Sequence, residues 1–346
     1  MKILMIGLGS IGQRHLRNIK RVLGEEAEIL AYRVRGLQRT FSDAMEIRDN
    51  VCLEEEFHIR SYGDLDEALA QKPEVAFITN PTNMHIPCAI KCAKAGCHLF
   101  MEKPVSDNLE GIEELKAAVE KSSVKVFVGY QNRFHPAIRA VKEVLESGEL
   151  GRILSVHSVV GERLSTMHTY ENYKDTYMAR KDMGGGVVTN QLVHEMDYLY
   201  YLFGKPLNVY AIGGTLGNLG IDVEDNCDAL FLMEGKGGSR ISVNVHADFY
   251  QSPPSRCVKV VGEKGFVEAD LINAMVSRTV LDVTEKAAFP EFARNDMFIE
   301  ELKLFLACIK EDEKEGITLE DGIVSLKMAM AVKESMSTGG VVNVNI

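Results

Sequence analysis

The chain lacks a basic cluster, a long apolar run and a cysteine framework. Among its 346 residues, 50 are acidic against 39 basic, a net charge of -11. No block of Lys or Arg offsets this locally, so the surface repels nucleic acid and anionic membranes. No stretch approaches the roughly 20 apolar residues that a membrane span needs. The opening MKILMIGLGS is interrupted by glycine too early for a secretory signal. The seven cysteines (52, 88, 92, 97, 227, 257 and 308) are odd in number and fit neither a disulfide scaffold nor a zinc ribbon. Cys88 and Cys92 lie one helical turn apart, a spacing two metal ligands could share. Small residues packing a helix is the simpler reading, and no metal is expected. The chain reads as a reduced, cytoplasmic protein. Internal repeats and low-complexity linkers are also absent.

What is present divides near residue 128. The first part alternates continuous apolar runs at 2–7, 28–32, 74–80, 98–103 and 125–130 with helix-like segments at 11–23, 64–71, 84–95 and 108–121. Such strands, apolar on both faces and separated by helices, predict a doubly wound parallel sheet over 1–128. Residues 33–60 carry no clear strand. Over 129–346 the runs alternate with period two, at 152–160, 208–216, 227–234, 240–249, 256–262 and 265–271. Helices are expected at 136–147, 187–203, 294–310 and 319–336. This predicts an α+β domain on an antiparallel-type sheet. Residues 161–186 lack a period but carry Tyr170, Tyr173, Tyr177, Arg163, Arg180 and Lys181. A loop of that length, rich in Tyr and Arg, suggests a lid or a binding segment.

The first strand runs into GLGSIG, residues 7–12. This is G-x-G-x-x-G between a strand and a helix, the context in which the motif means dinucleotide binding. Gly7 permits the turn, Gly9 lets a pyrophosphate approach the backbone, and Gly12 allows the helix to pack on the strand. Ser10 and Ile11 open the helix, whose N-terminal amides face the phosphates. A carboxylate usually ends the second strand, holding the adenosine ribose. Here Arg33 occupies that position, and Arg35 and Arg39 follow. Guanidinium groups bind phosphate well, so the reading favours NADP(H), with NAD(H) as the alternative.

Ligands of such sheets bind beyond the carboxyl ends of the strands. HLFMEKP (98–104) ends one strand there, placing Glu102 and Lys103 at the cofactor edge. TNPTNMH (79–85) ends another, adding Thr79, Asn80, Pro81 and His85. A partly buried lysine at this edge can donate to a substrate oxygen or exchange a proton with it. Tyr130 and Arg133, following the last of these strands, are expected to enter the substrate side. Asn190, His194 and Asp197 fall at i, i+4 and i+7 and share one helical face.

These segments together resemble the Gfo/Idh/MocA oxidoreductases over essentially the whole length. The resemblance rests on GLGSIG (7–12), NPTNMH (80–85), EKP (102–104), YQNRFHP (130–136), GGGVVTNQLVHEMD (184–197), PPSRCVKVVGEKGFVEADL (253–271) and TLEDG (318–322). It implies a C-terminal domain with a large open, mostly antiparallel sheet and a cis Lys103–Pro104 bond. It also implies hydride transfer between a nicotinamide cofactor and a secondary alcohol or ketone of a sugar or nucleotide-activated sugar, in surface-polysaccharide or glycoconjugate biosynthesis. Lys103 and His194 would lie beside the reacting carbon, and either could be the general base. Family members often carry an acid four residues before that histidine. This chain has Asn190, which can hold a substrate hydroxyl but cannot take its proton. Tyr173, Tyr177 and Arg180 resemble a substrate-facing segment of one branch. A homodimer or homotetramer through the open sheet is the implied assembly. Two rival readings are a glycosidase that uses its nicotinamide transiently and a non-enzymatic sensor.

Overall fold

The computed structural model describes the chain except residues 44–45, 168 and 312–315. It forms two compact units. The first comprises Met1–Tyr130 and Arg294–Gly322; the second comprises Gln131–Ala293 and Ile323–Ile346. A division at 128 does not anticipate that 294–322 belongs with the N-terminal part.

In the first unit, β1 (Lys2–Ile6), β2 (Glu28–Tyr32), β5 (Arg60–Tyr62), β6 (Val75–Ile78), β7 (His98–Glu102) and β8 (Val126–Gly129) form one sheet. All neighbours are parallel, in the order β5-β2-β1-β6-β7-β8. The central strands are buried along nearly their whole length, as a sheet covered on both faces requires. Helices α1 (Ser10–Leu23), α2 (Leu53–Glu56), α3 (Leu65–Leu69), α4 (His85–Lys94) and α5 (Ile112–Ser122) connect them. Phe77, Phe100 and Phe127 stack across β6, β7 and β8, with ring centroids 4.8 and 5.5 Å apart. Phe305, from the later helix α9 (Arg294–Lys310), meets Phe100 nearly edge-on at 5.5 Å. That aromatic contact explains why the returning segment joins this unit.

Within 33–60, where no strand is legible in the sequence, the chain makes a short hairpin of β3 (Arg39–Phe41) and β4 (Ile47–Asp49). Strands of three residues carry too little periodicity to be seen.

The second unit is built on a nine-stranded sheet. Its strands are β9 (Ile153–Gly161), β10 (Lys205–Gly214), β11 (Asn226–Glu234), β12 (Arg240–Asp248), β13 (Ser255–Gly262), β14 (Gly265–Asp270), β15 (Met275–Val280), β16 (Val283–Ala288) and β17 (Val342–Asn343). The order is β16-β15-β14-β13-β9-β12-β11-β10-β17. Within this sheet, only the β9–β12 pair is parallel among the described strands. Burial alternates along β11 and along β12 up to Ala247, so one face is core. Helices α6 (Pro136–Ser147), α8 (Val193–Phe203) and α10 (Leu319–Thr338) contribute to that core through Ile138, Leu199 and Met328. The other face presents Tyr210, Ile212 and Leu230, with Tyr210 directly opposite Leu230.

The hairpin of β15 and β16 was not legible in the sequence. Its turn residues, Leu281 and Asp282, take positive φ without a glycine, and β16 is exposed throughout. It therefore shows neither the usual hairpin dipeptide nor an apolar face. After β9, the described residues of 162–186 contain only single turns, including α7 (Leu164–Met167), with Met178 and Ala179 as buried anchors.

Candidate active site

The glycine turn sets the geometry of the first unit. Gly7 has φ +91°, the left-handed region that favours glycine. A Cβ on Gly12 would stand 2.4 Å from the Gly7 carbonyl oxygen and 2.8 Å from Thr79 Oγ1. Only glycine lets α1 start this close to β1. A Cβ on Gly9 would meet nothing within 4 Å, so the space beside the first turn of α1 is open. That turn carries no acidic residue, and Ser10 and Ile11 belong to it. Its unpaired amides and open approach fit a pyrophosphate. Thr79 locks the turn by donating from Oγ1 to the Gly7 carbonyl at 2.8 Å. Pro81 leads from Asn80 into a single turn at Thr82–Met84. Asn80 donates through Nδ2 to the Met84 carbonyl at 3.3 Å, while its buried Oδ1 has no partner among the described residues. A buried acceptor left open at this edge is what a ligand donor would fill.

Lys103 follows β7 directly, half-buried, before a cis bond to Pro104. Its surroundings are held by two histidines. His85, buried at the start of α4, faces the Asn80 carbonyl with Nε2 at 2.8 Å and the Pro104 carbonyl with Nδ1 at 2.9 Å. It thus ties the Asn80 loop to the Lys103 turn. A neutral ring donates to one of these carbonyls; only the imidazolium serves both. Burial pulls the His85 pKa down, and the two carbonyls and Glu102 only partly oppose it. His15, on the inward face of α1, meets Glu102 Oε1 through Nε2 at 2.7 Å. Glu102 Oε2 accepts from the Lys103 backbone amide at 3.2 Å. Burial raises the Glu102 pKa, but His15 and the Lys103 charge outweigh it and leave the carboxyl below its ordinary range. Glu102, expected at the cofactor, is therefore 7% exposed and committed to supporting the lysine turn.

Beneath this pair lies Glu301 of α9. It is fully buried, and neither carboxyl oxygen has a partner among the described residues. Burial, then the Glu102 charge, pushes its pKa well up. Sequence reasoning missed both His15 and Glu301. A histidine and a glutamate on the apolar faces of their helices were the available signals.

The arginines following β2 are largely engaged. Arg33 Nη1 donates to Glu54 Oε1, and Nη2 to the Leu37 carbonyl, both at 2.5 Å. Arg39 pairs with Asp49. Arg35 is exposed.

In the second unit, the expected helix over 187–203 opens with a π-helical stretch, Val188–Leu192, before α8. The wider turn carries half-buried Asn190, and buried His194 follows in the first turn of α8. The simple i, i+4, i+7 face is therefore altered, because a π turn rotates what precedes it relative to α8. Thr189 Oγ1 fastens the glycine run by donating to the Gly184 carbonyl at 2.8 Å.

Two expected substrate residues have largely buried side chains. Arg133 forks onto buried Asp197 with bonds of 2.6–3.2 Å and lies 4.7 Å over the Tyr201 ring. Its side chain is almost wholly buried, and it anchors α8. Tyr130 has no exposed surface. Its phenol belongs to the core, because β8 ends in a buried run that the following single turn continues. In the 161–186 segment, Tyr173 donates to the Leu219 carbonyl at 3.0 Å, and Arg180 pairs with Asp182 at 2.6 Å. Tyr177 is exposed. Among the described residues no group of acids, histidines or cysteines could hold a metal, and no helix is long and apolar enough to cross a membrane.

Residues 1–130 match the oxidoreductase family with an NAD-binding Rossmann fold, and residues 138–268 match the Gfo/Idh/MocA C-terminal domain. The myo-inositol 2-dehydrogenase of Thermotoga maritima is 28% identical over 97% of this chain and 96% of its own. The WlbA dehydrogenase of Bordetella pertussis, solved with NADH and UDP-GlcNAcA, superposes with a TM-score of 0.79 at 24% identity, covering 100% and 98% of the two chains. A levoglucosan dehydrogenase solved with NADH and levoglucosan gives 0.82 at 18% identity, with both chains fully covered. With a glycine cradle on a parallel sheet, a lysine at the carboxyl end of β7 and both family domains matched in order, the chain belongs to the Gfo/Idh/MocA oxidoreductases.

Proposed function

We propose that this oxidoreductase interconverts a secondary alcohol and a ketone on a sugar, polyol or nucleotide-activated sugar. The observation that carries the reading is Lys103. It is half-buried at the end of β7 in the unit that holds the glycine cradle, and its turn is fixed by Glu102 and His85. Gly7, Gly9, Gly12, Ser10, Ile11, Thr79 and Asn80 would hold the dinucleotide. When bound, the nicotinamide supplies the acceptor or donor of hydride.

The chain's own residues handle the proton and the orientation. Lys103 would donate to the substrate oxygen and stabilise negative charge developing on it. Lys103 or His194 takes the hydroxyl proton in oxidation and returns it in reduction. Asn190 holds a neighbouring hydroxyl; it can donate and accept but does not take the proton. Tyr173, Tyr177 and Arg180 serve the rest of the substrate, and an anionic or nucleotide group would suit the arginine. The named ligands of the relatives, an inositol, an anhydrosugar and a nucleotide sugar acid, support this substrate range, and the last supports a role in surface-polysaccharide or glycoconjugate synthesis.

The outer sheet face bearing Tyr210, Ile212 and Leu230 would pair with a second copy in a dimer or tetramer. Met233, on β11, is buried in the core and takes no part. Seven cysteines held as thiols rather than disulfides suit a reducing cytoplasm.

The test is a panel of inositols, anhydrosugars and nucleotide sugars, followed by nicotinamide absorbance with each dinucleotide. Lys103→Ala is expected to abolish turnover while cofactor binding persists. Undiminished turnover in that variant removes Lys103 from the mechanism. Product formed without any net change in absorbance would instead indicate elimination through a transient oxidation.

A further inference from the structure

We infer that Glu54 sets the cofactor choice of this protein, by holding Arg33 away from a ribose phosphate and keeping a carboxylate at the adenosine end of the cradle. The inference rests on the dinucleotide reading above and sharpens it.

The placement follows from strand register. Ile6, the last residue of β1, pairs with Tyr32, the last of β2, and the Gly7 amide donates to the Tyr32 carbonyl at 3.1 Å. Arg33 is the next residue, beside the cradle. In this fold that position meets the adenosine ribose. A count of arginines predicts a phosphate there, but the side chains are arranged otherwise. The Arg33 side chain is only 7% exposed. One end of its guanidinium is used by Glu54 and the other by the Leu37 carbonyl.

Glu54 is itself fixed. Ser61, on β5 next to β2, donates to Glu54 Oε1 at 2.6 Å. Burial raises the Glu54 carboxyl, but Ser61, its own backbone amide and Arg33 together bring it down to about 2. It stays ionised at any working pH.

Two consequences follow. The charge of Arg33 is already balanced, so an incoming phosphate gains little from it. The phosphate also meets a fixed carboxylate of its own sign. A ribose diol carries no charge and meets neither cost. The arrangement therefore selects NAD(H) by penalising the competitor. Arg39 is likewise paired, with Asp49, which leaves exposed Arg35 as the third arginine of the run.

Direct binding tests this without knowledge of the substrate. NADH and NADPH are titrated into the full-length protein, and nicotinamide fluorescence gives each Kd. Wild type is expected to bind NADH more tightly. In Glu54→Gln the carboxylate is lost and Arg33 is released. The NADH-to-NADPH preference is then expected to move toward NADPH by about tenfold, the scale of one nearby charge. NADH affinity itself should stay nearly unchanged, which also shows that the cradle is intact. Adding Arg33→Ala to Glu54→Gln should erase the gain. An unchanged ratio in Glu54→Gln overturns the inference, as does a wild type that prefers NADPH. Should wild type bind neither nucleotide, the dinucleotide reading itself fails, and the inference with it.

Discussion

Glu301 offers a perturbation whose size can be worked from its surroundings. Its carboxyl is fully buried, unpartnered among the described residues and close enough to feel the Glu102 charge. Desolvation and that like charge both favour the protonated acid. In the unfolded chain the same group titrates near 4.5. As pH rises above that value, the unfolded state releases a proton that the folded state retains. Stability present below pH 4.5 is thus lost progressively until the folded carboxyl also ionises. The loss is about 1.4 kcal/mol for each pH unit in that window.

Glu301→Gln keeps the shape and removes the titration. Its advantage over wild type should be small near pH 5 and grow with pH. For a unit of this size, the gap in melting temperature should widen by roughly 3–5 °C per pH unit. Thermal melts of both proteins from pH 5 to pH 8 provide the measurement, and titrating groups not coupled to Glu301 cancel in the difference. A Glu301→Leu variant removes the buried polar group as well as the titration. Its gain over wild type should be about 1–3 kcal/mol near pH 4.5 and should grow with pH as that of Glu301→Gln does. Parallel pH curves for wild type and Glu301→Gln would refute the reasoning, because they would mean that Glu301 ionises as an ordinary exposed acid.

Two further outcomes are expected. His85→Ala removes the ring that joins the Asn80 and Pro104 carbonyls, so it should lower the melting temperature and weaken NADH binding together. His85→Gln, which keeps an amide donor, should recover part of both; equal behaviour of the two variants would reduce His85 to a space-filler. Arg133→Ala takes the guanidinium from buried Asp197 and should cost about 3–5 kcal/mol, as breaking a buried pair does. A specific loss of turnover in Arg133→Ala at unchanged stability would instead restore Arg133 to the substrate side.

The parts of this molecule that were legible in sequence are those where one physical requirement dominates. The parallel strands must be apolar on both faces, and the run VAFI shows it. The glycine turn must exclude side chains, and Gly12, with the Gly7 carbonyl 2.4 Å from where a Cβ would stand, shows that too. Helix α6 begins at Pro136 and stops before Gly148, whose φ is +70°, so both ends are written in residue type. The polar side chains were less legible because their roles are set by partners distant in sequence. Arg33 reads as a phosphate ligand until Glu54, 21 residues on, is placed against it. Arg133 reads as a substrate ligand until Asp197, 64 residues on, closes over it. In both cases the residue type announced that an anion would be bound, and the fold supplies one from the protein's own side chains. The same logic isolates Lys103. Its neighbours Glu102, His85 and His15 spend their polar atoms largely on one another and on the backbone, and that internal spending is what keeps the lysine's turn in place.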